Sequence, residues 1–249
     1  MIALGWDKYA REWKPGKFSI LPGHRVHYLG DEWTAEDVSA GGTTYGLAPD
    51  VVANFEDHIT TQLLNPYLPS FAEEGLEIGP GGGRLTALLA PRTKVLHVAD
   101  PSEAMLRHLS RRFAGMPSVR YYHTDAMTLP ALRPESLDYV IAFDVFVHFD
   151  PRLVYWYLHQ IRDLLKPGGM GIIHYANVLT PIGWQQFEMD LESNVQDRTT
   201  FASFGVMCPQ LMGKFLEVLK FEVISTDINA IPRDAIAVFR NTERDAAGL

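Results

Sequence analysis

The stretch LEIGPGGGRLT, Leu76 to Thr86, decides the fold. Apolar Leu76 and Ile78 flank the acid Glu77, the pattern of a short buried strand. Gly79, Pro80, Gly81, Gly82 and Gly83 follow, and Arg84 to Leu89 can begin a helix. A strand that runs through glycines into a helix N-terminus makes a cofactor cradle. Glycines let the backbone approach a ligand closely, and unpaired N–H groups point outward at the turn. Four glycines in five residues, directly after an acid on a strand, exceed what an ordinary strand–helix turn needs.

The dinucleotide fingerprint is G-x-G-x-x-G. Gly79 and Gly81 match its first two positions, but Arg84 occupies the third. The spacing is instead Glu77-x-Gly79-x-Gly81-x-Gly83. It resembles the first motif of the class I S-adenosylmethionine-dependent methyltransferases. That cofactor has no pyrophosphate and carries a positive sulfonium, which a nearby carboxylate such as Glu77 suits.

Composition bounds the rest. The chain has 249 residues with 47% apolar content, enough for one sizeable core. Its net charge of −8 disfavours a nucleic-acid or anionic-membrane surface. Arg107, His108, Arg111 and Arg112 cluster at helical spacing and read as a solvated face. One cysteine, Cys208, excludes an intrachain disulfide framework, and no convincing metal-ligand cluster is legible. No apolar run has transmembrane length, and the first residues lack a signal peptide's order, so a soluble cytoplasmic protein is expected.

Around the glycine loop the chain alternates strand and helix. Strands are expected at 75–79, 95–100, 119–123, 137–143, 170–175, 221–226 and 235–240. A helix is expected from Asp50 to Leu64, stopped by Asn65-Pro66. Ser102 can cap one helix, and Asp150 with Pro151 can open another. Alternation predicts an α/β, doubly wound, mostly parallel seven-stranded sheet, with its ligand at the strands' C-terminal ends. Residues 1–49 read as an N-terminal cap, rich in loops and aromatics and including a short helix over Trp6–Trp13. The methyltransferase-like domain is placed at 50–240, with 180–207 as an inserted cap and 241–249 as a frayed tail.

Candidate site residues sit at the strand ends. Asp100, with Pro101 beside it, lies about 20 residues beyond the glycine loop, where a carboxylate grips a ribose diol. A nicotinamide enzyme uses an acid there too, and helix capping is a third reading. The turn LLKPGGMGII, Leu164 to Ile173, is the second close match to the methyltransferase family. The resemblance covers residues 70 to 176 well and 209 to 240 loosely. It implies S-adenosyl-L-methionine as cofactor, and adenine recognition by Asp125 and the backbone of Ala126. Asp144, at the end of strand four, completes the set of acids at the cofactor edge.

Sulfonium is already a strong electrophile, so the protein has to align the partners and, for an alcohol, remove a proton. His148, just past strand four, is the first candidate base, with His174 and Tyr175 at the end of strand five as alternatives. The sequence Asp144-Val-Phe-Val differs from the Asn/Asp-Pro-Pro-Tyr of many amino-directed methyltransferases. A hydroxyl on a small metabolite or glycan is therefore the expected acceptor. Two other classes stay open: a nicotinamide-dependent oxidoreductase, and a methyltransferase-like domain that binds without turnover.

Overall fold

Apolar strands alternating with amphipathic helices can bury both faces of one sheet, and the computed structural model shows that arrangement. It describes residues 59–196 and 204–242, together with Trp6 and Asp57. The strands are β1 (Ala72–Ile78), β2 (Thr93–Asp100), β3 (Val119–His123), β4 (Leu137–Phe146), β5 (Leu165–Ala176), β6 (Phe221–Asp227) and β7 (Asp234–Asn241). They form one seven-stranded sheet in the order β3-β2-β1-β4-β5-β7-β6. Strand β7 runs antiparallel to both of its neighbours, and the other pairings are parallel. β1 and β4 are neighbours at the centre, and the chain reverses direction across the sheet between them.

The helices are α1 (Arg84–Leu89), α2 (Glu103–Arg112), α3 (Pro151–Leu164), α4 (Pro181–Gln196) and α5 (Pro209–Val218). One face of the sheet packs on α3 and α5 through Val154, Leu158, Ile161, Met212 and Leu216. The other packs on α1 and α2 through Leu85, Leu89, Leu109 and Phe113. Strand β4 is buried on both faces from Tyr139 to Ala142, which explains its nearly unbroken apolar run. Close packing also fixes small residues. A side chain at Gly75 would overlap the Tyr139 ring, whose hydroxyl bonds to Thr93 at 2.7 Å.

The caps form as their residues predict. The Ser102 hydroxyl accepts from the Met105 N–H at 3.2 Å, and Asp150 accepts from Arg152 and Leu153 with Pro151 in the first turn. Several strands run a few residues beyond their expected ends, and three departures from expectation have a clear physical cause. Asn65-Pro66 does not stop its helix: Thr60–Leu64 is a π-turn, Asn65 donates back to Thr60, and helix continues to Tyr67. Proline cannot donate, and the wider turn gives its ring room. Strand β5 begins at Leu165, and the expected bend survives inside it at Gly168 (φ +81°). Asn241 is not frayed: it ends β7, is 1% exposed, and its amide donates to the carbonyls of Arg162 and Leu165.

Within the 180–207 segment, Pro181–Gln196 is helix α4. Residues 204–207 then return along the end of β4, where the Gly205 N–H donates to the Val147 carbonyl at 2.6 Å. The N-terminal cap and the capping role of Asp50 lie outside the described residues, except that Trp6 is helical. No helix among the described residues is long and apolar enough to cross a membrane.

Candidate active site

The C-terminal ends of β1, β2, β3 and β4 converge on one cleft enclosing about 770 Å³ of non-protein space, part of it open to solvent. The glycine loop forms one wall. Gly79 (φ +64°) and Gly81 (φ +53°) both line the cleft in left-handed conformations. A side chain at Gly79 would strike Val145 across the loop, whereas one at Gly81 would meet nothing within 4 Å. The second observation marks the place where the loop backbone faces open cleft. Gly83 (φ +87°) does not line it; it turns the chain into α1 against the Phe113 ring.

Glu77 points away from the cleft. It is 2% exposed, and its carboxyl accepts the Thr86 hydroxyl at 2.6 Å. Burial pushes its pKa up to about 8; the Asp100 charge adds to the rise, while the Thr86 bond and Arg84 oppose it. Glu77 therefore braces the loop against α1 from behind, and the sequence pattern alone did not separate a lining acid from a bracing one.

Asp100 ends β2, 6% exposed, and lines the cleft with Pro101. One carboxylate oxygen accepts the Ser102 N–H at 2.7 Å; the helix cap is Ser102 itself, so Asp100 lines the cleft and does not serve as the cap. The Pro101 carbonyl bonds to His123 Nε2 at 3.1 Å, tying the tips of β2 and β3. Beyond β3, Thr124 and Ala126 (φ +63°) line the cleft while Asp125 between them does not. Asp125 Oδ1 accepts the backbone N–H groups of Met127 and Thr128 and the Thr128 hydroxyl. These bonds, Met127 first, hold its carboxyl below the usual range.

Asp144 reaches the cleft from the end of β4, at φ +63° where the β4–β5 register shifts. Aspartate tolerates this left-handed region better than most residues, but the conformation still costs on the order of 1 kcal/mol. Its carboxylate faces the Arg84 guanidinium at 3.9 Å, and that guanidinium lies over the Phe143 ring.

The three candidate bases separate clearly. His148 lines the cleft on the turn after β4, its ring centroid 5.4 Å from that of Trp6, which also lines the cleft. His174 is 1% exposed and has both nitrogens engaged: Nδ1 accepts the Asp144 N–H and Nε2 donates to Asp234, each at 3.0 Å. Tyr175 is fully buried against Phe146 in the core, and burial pushes its pKa up. Neither His174 nor Tyr175 lines the cleft.

Asp144, His174 and Asp234 each offer a ligand atom within 4.8 Å of the others, a cluster that their spacing in sequence hid. Its donors are already spent. Besides the two engaged nitrogens, Arg233 grips Asp234 through two bonds of 2.8 Å and Arg84 faces Asp144. The set is charge-compensated and does not suit a cation.

Tyr157 of α3 is a cleft residue that the sequence did not single out. It is buried, and burial raises its pKa, with the Asp125 and Asp100 carboxylates adding to the effect. With Ile78, Ala99, Met105, Leu129 and Phe149 it makes the cleft largely apolar, a lining that fits a purine ring. The open cradle at Gly81, a carboxylate at the β2 tip and this apolar floor together fit S-adenosylmethionine.

Comparison with known proteins agrees. Residues 76–169 match the family model described as a methyltransferase domain. The demethylmenaquinone methyltransferase of Clavibacter sepedonicus is 36% identical over 106 residues, 42% of this chain and 42% of that one. An uncharacterized methyltransferase of Mycobacterium tuberculosis is 32% identical over 108 residues, 43% of this chain and 52% of the other. The chain thus spans about half the length of the curated relatives it matches. Among solved structures, the N-methyltransferase NodS from Bradyrhizobium japonicum in complex with S-adenosyl-L-homocysteine superposes with a TM-score of 0.57 at 20% identity, over 76% of this chain and 88% of NodS. The glycine loop, the end of β1 and strands β2 to β4 fall within the residues that match the methyltransferase-domain model, and the seven-stranded fold is the one shared with these methyltransferase structures.

Proposed function

We propose that this protein methylates a hydroxyl oxygen on a small metabolite or glycan, with His148 as the general base. The observation that supports this most is the pairing of His148 with Trp6 at the cleft wall, beside the end of β4. S-adenosylmethionine, when bound, supplies the electrophilic methyl group. Asp100 and Ala126 orient the nucleoside end, and the Gly79–Gly81 backbone accommodates the amino-acid end with Asp144 close by. An imidazole at position 148 takes the acceptor's proton as its oxygen attacks, and a positioned base of this kind contributes ~10²–10⁴-fold. The Trp6 indole offers a flat face, which favours a ring-shaped acceptor. Residues 1–49 and 180–207 are the proposed source of acceptor specificity, because loops on a rigid sheet usually carry it. A nicotinamide-dependent role is disfavoured by the chemistry of the loop, where Arg84 replaces the third glycine and pairs with Asp144.

The test is a methylation screen of phenols and sugars with labelled cofactor, repeated on His148→Ala. The expected result is a loss of about 10²–10⁴ in turnover with S-adenosylhomocysteine affinity within a few-fold of wild type. Transfer to amines alone, or an unaffected His148→Ala, would remove the hydroxyl and base assignments while leaving the cofactor in place.

A further inference from the structure

Behind the cleft lies a chain of polar groups that no cofactor contact accounts for. Asp144 holds its left-handed conformation with its N–H directed at His174 Nδ1, 3.0 Å away. A ring nitrogen that accepts a hydrogen bond carries no proton, so the proton of His174 sits on Nε2. That N–H donates to Asp234 Oδ2 at 3.0 Å. Asp234 has no solvent exposure and is held by Arg233 through Nε and Nη2 at 2.8 Å each. Burial alone would raise the Asp234 carboxyl; Arg233 and His174 outweigh it and keep it low. The His174 ring is also stacked on Phe143, with centroids 4.5 Å apart.

We propose that His174 and Asp234 are positioning residues of the cofactor site. Asp234 fixes the tautomer of His174, and His174 fixes the turn that presents the Asp144 carboxylate at the cleft edge beside Arg84. The three residues belong to three strands, β4, β5 and β7, so the contact locks the ligand-facing end of β4 to the antiparallel strand two places away. This inference rests on the cleft being the cofactor site.

The test uses full-length protein with two readouts. Nitrogen-15 NMR of the wild-type histidines at pH 7.5 should find His174 neutral with its proton on Nε2; a proton on Nδ1 overturns the proposal even if no variant folds. Calorimetry with S-adenosylhomocysteine then compares variants checked for folding. His174→Leu removes the acceptor and should weaken binding about ten-fold. His174→Asn keeps an amide oxygen near the Nδ1 position and should restore binding to within about three-fold of wild type. A folded His174→Leu with wild-type affinity, or equal loss in both variants, overturns the positioning role. Wild-type protein that binds no S-adenosylhomocysteine overturns the cofactor reading itself, and this inference with it.

Discussion

Glu77 separates what a motif announces from what its residue does. The acid was legible because it precedes the glycines, and its proximity to a sulfonium was the expected purpose. In the fold it faces the Thr86 hydroxyl, because the pleat of β1 turns residue 77 toward α1 and away from the cleft. Its folded pKa of about 8 lies above the ordinary value of 4.5. The native state therefore holds a proton that the unfolded chain releases above pH 4.5. The stabilisation is complete below that pH and is lost as pH climbs through 8, at up to about 1.4 kcal/mol per pH unit. Glu77→Gln keeps an oxygen for Thr86 and has no proton to lose. Urea unfolding at pH 5, 6.5 and 8 should show a flatter pH dependence for the variant, and parallel curves would mean that Glu77 is ionised in the native state. At Gly79 the expectation is simpler. Alanine meets both a φ of +64° and the Val145 side chain, so Gly79→Ala should destabilise by roughly 1–3 kcal/mol and weaken cofactor binding. An unchanged melting curve would show that the loop relaxes at no cost.

At the scale of elements, α3 does more than cover the sheet. Its apolar stripe of Val154, Leu158 and Ile161 was readable from helical spacing. Its polar stripe was not, since nothing in the sequence says what lies beside it. Trp156 Nε1 and Gln160 Nε2 both donate to the Met127 carbonyl, at 2.8 and 3.0 Å, and Gln160 Oε1 accepts the Leu129 N–H at 2.7 Å. Asp125 pins the same loop from within through Met127 and Thr128. The helix thus holds the segment that carries Ala126 and Leu129 to the cleft. Gln160→Ala removes two of these bonds and should weaken S-adenosylhomocysteine binding about five- to ten-fold, with a smaller effect on stability because the loop is partly solvated. Calorimetry on the variant checks it; unaltered affinity would assign the loop's shape to Asp125 and Trp156. The geometry does not support the adenine contact expected of the Asp125 side chain: the residue does not line the cleft, and one of its oxygens serves the turn.

Across the whole molecule, the parallel half of the sheet was the legible half. Residues with chemistry to offer, such as Gly79, Asp100, Asp144 and His148, lie at or near the ends of its strands, and βα alternation orders them. The insertion of β7 between β5 and β6 was not legible, because apolar alternation says that a strand exists but not which neighbours it takes. The link from His174 to Asp234 stayed hidden for the same reason: 60 residues separate them and only that insertion brings them together. Tyr157 was missed because it sits within the helix's buried face and reads as core.

The central claim is that the cleft at the ends of β1 to β4 holds S-adenosylmethionine. Isothermal titration of wild type and Asp100→Ala with S-adenosylhomocysteine, and of wild type with NAD, tests it most directly. The claim predicts one site per chain for S-adenosylhomocysteine, no binding of NAD, and a loss of roughly 1–3 kcal/mol for a folded Asp100→Ala, whose missing carboxylate leaves a ribose hydroxyl unpaired. Binding of NAD in place of S-adenosylhomocysteine, or an Asp100→Ala that binds S-adenosylhomocysteine as wild type does, would contradict it.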